Sequence, residues 1–262
     1  MPTLARIRVH PIKALDPVEL DRVRVSPAGG LDGDRVYAMV TPGGEYVNGK
    51  RTDAVHHLFT DVDLDAMSVT IGVREESHPR LFDLDDERDA LADWLAEHFG
   101  YEVGVEHAPG GELTDSSVLD GRAAGATVVS TATLETVASW FDDLDVEGVR
   151  RRFRANLEVE GVEAFWEDRL AEDGGVRFRV GEVAFRGIKP VYRCVVPARD
   201  PETGRPTDGF RERFLTKREE TFPAWEDRDA FEHFYALTVL CQPVEADRGE
   251  VLRVGDEVEV LG

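Results

Sequence analysis

A mainly β fold with α+β elements, an N-terminal β-barrel-like region followed by a second β-barrel domain, is what this sequence predicts, on three observations. Short runs of alternating apolar and polar residues recur in both halves. Turns rich in Gly and Pro separate them. Helical periodicity is confined to a few stretches. With 262 residues the chain has room for one large or two small domains. The polar stretch Pro109–Asp120 is the expected boundary, dividing it into 1–110 and 111–262.

Taken in order, Ala5, Ile7 and Val9 alternate with Arg6, Arg8 and His10, the period of a half-buried strand, and Pro11 ends the run just before Lys13. A second alternating strand carries Val23 and Val25. The Gly-rich turn Pro27–Gly33 leads to Asp34-Arg35 and a further strand up to Val40, which Thr41-Pro42-Gly43-Gly44 closes. Strands this short and this closely spaced predict a barrel or a strongly bent sheet. Leu91, Trp94, Leu95 and Phe99 share one face of a helix over Glu87–Phe99, with Gly100 as its stop.

In the second half a short strand covers Thr127–Val129. Ser130-Thr131 then offers hydroxyls to a helix whose apolar face is Leu134, Val137, Ala138 and Phe141. Those hydroxyls serve either as caps or, with the free amides of a helix N-terminus, as an anion site. The run Arg151-Arg152-Phe153-Arg154-Ala155-Asn156 leads into the strand of Leu157 and Val159; its guanidinium groups suit phosphate, or pair with surface carboxylates. Strands follow at Val176–Val180 and at Val183 and Phe185, Glu226–Leu237 starts as a helix, and Val258 and Val260 close the barrel.

Charge sets the function classes aside. The net charge is −22, from 53 acidic and 31 basic residues, and only four lysines are present: Lys13, Lys50, Lys189 and Lys217. Such a surface repels polyanions, which argues against binding along a nucleic-acid backbone, and its composition suggests a halophile's cytosol. The acidic run Asp83–Asp89 reads as a solvated face. No window has the apolar length of a signal peptide or a membrane span, so a cytoplasmic location without membrane contact is expected. Two cysteines, Cys194 and Cys241, are too few for a disulfide framework, a Cys-rich zinc site or four-cysteine iron–sulfur ligation.

The stretch Lys189–Gly204 sets Cys194 beside Arg193, at the end of a β-like run and ahead of a Pro-rich turn. A guanidinium stabilises a thiolate, which is both a nucleophile and a soft metal ligand. A free cysteine also serves often as a small buried hydrophobe. Cys241, after the run Ala236–Leu240, has the pattern of strand core.

Together these residues resemble the MOSC superfamily, and more closely its two-part members with an N-terminal MOSC β-barrel region, such as the mitochondrial amidoxime reducing components and their bacterial relatives. The markers are Pro11-Ile12-Lys13, Gly30-Leu31-Asp32-Gly33-Asp34-Arg35, Phe153-Arg154-Ala155-Asn156, Pro190-Val191-Tyr192-Arg193-Cys194 with Asp200-Pro201-Glu202-Thr203-Gly204, and the terminal Arg253-Val254-Gly255-Asp256. The resemblance implies a molybdenum cofactor, a molybdopterin, with Cys194 completing the metal's ligands. It implies that Lys13, Arg35, Ser130, Thr131, Arg154, Asn156 and Arg193 hold the pterin and its phosphate. The superfamily as a whole also carries an association with pyridoxal phosphate. Ala14, where relatives often have serine, and Val191, Pro197 and Ala198 depart from the closest relatives.

The expected activity is a molybdenum cofactor-dependent reduction of small N-hydroxylated compounds. An external electron-transfer protein is implied, since the chain has no iron–sulfur or haem signature. The alternative is a non-catalytic carrier of the cofactor, or of a persulfide on Cys194; a third reading is a barrel whose cysteine is core.

Overall fold

The computed structural model describes residues 1–108, 113, 125–225, 228 and 231–261. Its largest unit is an eight-stranded sheet built from β1 (Thr3–Val9), β2 (Val18–Leu20), β9 (Ala126–Ser130), β10 (Leu157–Glu160), β11 (Arg177–Val180), β12 (Val183–Tyr192), β13 (Ala236–Pro243) and β15 (Val258–Leu261). The order is β15-β11-β12-β13-β9-β10-β1-β2. A bridge between Thr3 and Glu257 joins the β15 side back to β1. Backbone bonds from Leu4 N to Asp256 O at 2.8 Å and from Val258 N to Pro2 O at 2.9 Å accompany it and close the barrel.

All described pairings in this sheet are antiparallel except β9 with β10. A parallel pair needs a crossover. Here two helices provide it, α2 (Thr131–Ser139) and α3 (Val146–Phe153).

The barrel fills as its alternation requires. In β11, Phe178 and Val180 are buried while Arg177 and Arg179 face water, and Phe178 stacks on its cross-strand partner Phe185 at 5.5 Å. Leu4, Ile7 and Val9 of β1 enter the same core as Val128, Val159, Val239 and Cys241, so the first strand is built into a core made mostly by the second half. Val23, from β3 (Arg22–Arg24), joins them; β3 pairs with β14 (Val251–Arg253).

The N-terminal part has its own core around Tyr37, Met39, Leu58, Val69, Ile71, Leu91 and Leu95. It is covered by β4 (Tyr37–Val40) paired with β8 (Gly104–His107), by the meander β5 (Leu58–Asp63), β6 (Ser68–Val73) and β7 (Arg80–Asp83), and by α1 (Arg88–Phe99). Gly100 ends α1 in the left-handed conformation, φ 76°, as its place after the last apolar residue predicts.

Three segments differ from expectation or lie beyond it. The arginine run belongs to α3 and its C-cap. A fourth helix, α4 (Phe210–Glu220), packs Phe210 and Phe214 into a third core with α2 and α3. Most of the expected boundary Pro109–Asp120 and of the expected helical start at Glu226 lies outside the described residues; from Ala236 the chain is strand.

Candidate functional site

Between the barrel and the N-terminal core lies a cleft of about 410 Å³. Its walls come from the end of β1 and the turn after it, from residues 48–58, from the end of α3 and from the segment that follows β12. Of the predicted site residues, Lys13, Arg35, Arg154, Asn156, Arg193 and Cys194 are brought together on these walls.

The local geometry shows how. His10 is buried, and its backbone N–H donates to Asp34 Oδ1 at 2.8 Å; the Asp34 carboxylate also receives the Arg35 guanidinium. Burial raises the Asp34 pKa, but Arg35 and then His10 overcome it and hold it at about 2. Burial and the neighbouring Arg154 bring His10 down to about 3, so its imidazole is neutral. Ala14, Arg35 and Arg154 have φ values of 75°, 54° and 55°, and all three line the cleft. Half of the six non-glycine residues with positive φ among the described residues therefore sit at one place, where such strain marks a site that the surrounding fold must enforce.

In a chain of net charge −22, eleven arginines and lysines line this cleft against one carboxylate, Asp16. Several are neutralised. Arg8 and Arg150 pair with Glu19, Glu147 and Glu158, Arg151 with Glu202, and Arg74 with Asp16. Arg154, Arg193 and Arg199 are not. Their guanidinium groups donate to the backbone carbonyls of Leu15 at 2.7 Å, Phe153 at 2.8 Å and Gly204 at 2.9 Å, and pair with no carboxylate among the described residues. Burial, with Arg35 next, lowers Arg154 to about 10. Arg193 falls to about 10 from burial, although a Cys194 thiolate would favour its charged form. Both stay cationic at neutral pH.

Cys194 is exposed at this cleft, whereas Cys241 is fully buried in β13 and its thiol pKa is pushed up by that burial. A core role for Cys194 is thereby excluded. Asn156 is a strut. Its Oδ1 accepts from the Thr127 N–H and hydroxyl at 3.1 and 3.0 Å, and its Nδ2 donates to Arg8 O at 3.1 Å, which leaves one amide hydrogen for a ligand.

Ser130 and Thr131 do not reach the cleft. The Ser130 hydroxyl caps α2 by accepting from Thr133 N at 3.0 Å, and Thr131 donates to Glu158 at 2.9 Å. The acceptor at this helix N-terminus is the chain's own Glu167 carboxyl, whose Oε2 receives Ser130 N and the Thr133 hydroxyl at 3.2 and 3.1 Å. His10, Lys50, His56, Arg152 and Arg199 line the cleft without having been singled out from sequence as site residues. Arg199 carried a signal nonetheless, for it lies within the Lys189–Gly204 stretch.

An exposed cysteine at the edge of a cleft, with guanidinium groups bonded only to carbonyls, is a donor set for a soft metal held by an anionic organic ligand. The residues present fit a pterin phosphate in charge and in hydrogen-bonding type. No metal-ligand cluster of three or more His, Cys, Asp or Glu exists among the described residues.

Known proteins bear on this geometry. The model of the MOSC N-terminal beta barrel domain matches residues 1–102, and that of the MOSC domain matches residues 115–259. No curated protein matches the chain. A solved structure, the YuaD protein from Bacillus subtilis, is 13% identical over 99% of this chain and 96% of that one, with a TM-score of 0.37, a likeness too low to carry an argument. With both family models matching in order along the chain, and MOSC domains being associated with molybdenum cofactor sulfurase and reductase-like proteins, the chain belongs to the MOSC family.

Proposed function

We propose that this protein is a molybdenum cofactor-dependent reductase of small N-hydroxylated compounds. The observation that carries the reading is the exposed Cys194 on a cleft whose Arg154 and Arg193 have no carboxylate partner among the described residues. Lys13, Arg35, Arg154 and Arg193 hold the cofactor's phosphate and ring edge, and Cys194 supplies the protein ligand. The bound group supplies two-electron chemistry at the N–O bond. The substrate's N–OH becomes N–H and water, consuming two protons and two electrons. The electrons come from a separate electron-transfer protein.

The chain's own part is to bind and to orient. Asp34 fixes Arg35, and the Phe153 carbonyl fixes Arg193. The barrel wall fixes Asn156. A second reading, a carrier of the cofactor or of a persulfide, draws on the same exposure of Cys194.

Protein from a cofactor-competent host, assayed for benzamidoxime reduction with a reduced dye as donor, separates the two. Wild type and Cys241→Ser should turn over, and Cys194→Ser should lose at least about a hundredfold, the order of one charge-assisted ligand interaction of ~3 kcal/mol. Metal-loaded wild type without turnover would favour the carrier. Full activity in Cys194→Ser would end the ligand assignment.

A further inference from the structure

Residues 196–204 form the cleft wall farther along the chain from Cys194, and they are held with unusual care. Arg152, itself buried, donates to the carbonyls of Pro197 at 2.9 Å and of Arg199, and to the Thr207 hydroxyl at 3.2 Å. Asp200 spends Oδ1 on the N–H groups of Glu202 and Thr203 and on the Thr203 hydroxyl, at 3.1, 2.9 and 2.9 Å. Gly204, at φ +68°, seats the turn on the N-terminal part: a Cβ there would stand 2.7 Å from the Asp53 Cβ and 3.0 Å from its backbone.

What this rigid turn presents to the cleft is Arg199. Its guanidinium makes one hydrogen bond among the described residues, from Nη1 to Gly204 O at 2.9 Å, and its neighbour Asp200 faces the turn instead. Facing it is His56, whose pKa is lowered first by burial and next by the Arg199 charge. The charge balance makes this cation surplus. A phosphate monoester carries about −1.5 to −2 at neutral pH, and Arg154 and Arg193, which pair with no carboxylate among the described residues, already match that. An arginine without an anion, on a preorganised turn in so acidic a protein, is a fork set out for a second oxyanion.

We propose that Arg199 forms an anion subsite for the substrate, so that the N-hydroxylated compounds this protein prefers carry a carboxylate. This rests on the reductase reading for the word substrate, but the subsite is tested by binding. The probes are 4-carboxybenzamide and benzamide, unreactive and differing by the carboxylate, titrated calorimetrically into protein purified from a cofactor-competent host.

Wild type should bind the carboxylated probe at least about tenfold tighter. Arg199→Gln should lose that preference while retaining wild-type molybdenum and pterin content, and Arg199→Lys should keep part of it. Equal affinity of wild type for the two probes overturns the proposal. So does a loss of metal in Arg199→Gln in step with the lost preference, which would give Arg199 to the cofactor's phosphate. If the preference holds while neither benzamidoxime nor 4-carboxybenzamidoxime is reduced, the subsite stands and the reductase reading falls.

Discussion

Arg154 combines a functional charge with a backbone cost. As the C-cap of α3 it sits at φ 55° and ψ 45°, a conformation that costs a residue with a Cβ about 1–2 kcal/mol relative to glycine. Arg154→Gly should therefore leave the metal-free protein more stable than Arg154→Ala by about 1 kcal/mol, with both losing cofactor. Denaturant melts beside metal analysis read the two effects apart, and equal stability of the two variants would mean the strain is not there. Glu167 is a second informative residue. Burial, then the nearby Asp168, pushes its pKa up to about 8, and its Oε1 has no partner among the described residues. The folded state therefore holds a proton that the unfolded chain releases near pH 4.5, so this group's contribution is full below about pH 4.5 and is lost as pH rises through about 8. Glu167→Gln should raise the melting temperature relative to wild type more at pH 9 than at pH 5; an unchanged difference would remove Glu167 from the account. None of this could be read from sequence, where Glu167 is one acid among 53.

At the scale of elements, α3 aligns the arginines of the cleft, and its first turn is held by Asp145, whose carboxylate accepts from Gly148 N at 2.7 Å. Asp145→Ala should cost about 1 kcal/mol and lower metal content without altering turnover per bound metal. Turnover per metal that falls in proportion would show that the helix does more than hold. This helix and α4 were hidden in the sequence for one reason: charged side chains occupy positions that periodicity expects to be apolar. In α3, Arg152 is buried with its charge met by carbonyls and a hydroxyl. In α4, Arg218 is buried beside Phe210 and Phe214, paired with Asp168 and lying 3.9 Å from the Phe165 ring centre. Helix α1 and the strands around Ile7–Val9, Leu157–Val159 and Phe178–Val180 were legible because apolar residues recur along their buried faces, while at β1 a register shift buries Leu4 in place of Ala5. Motif residues on loops, Lys13, Arg35 and Cys194, lie together on the cleft wall as their motifs anticipated. Ser130 and Thr131 lie outside it; their capping chemistry looks the same in sequence as anion binding.

For the whole molecule the net charge is −22, yet eleven of its 31 arginines and lysines line one cleft beside a single carboxylate. Outer repulsion is screened as the Debye length falls from about 10 Å at 0.1 M salt to about 3 Å at 1 M, so the melting temperature should climb across that range. Melts that stay flat would sink the halophile reading. The closure of the barrel has a consequence of another kind, in the order of synthesis. Thr3 meets Glu160, 157 residues later, and its bridge partner Glu257 comes later still. At about 5–20 residues per second a ribosome needs roughly 10–30 s to make that interval. Throughout it Leu4, Ile7 and Val9 have only early neighbours such as Val18, Leu20 and Val23 to cover them and lack the larger part of their core, so the nascent chain carries a partly uncovered, adhesive strand, and a chaperone that shelters it would govern how much of the protein survives to fold.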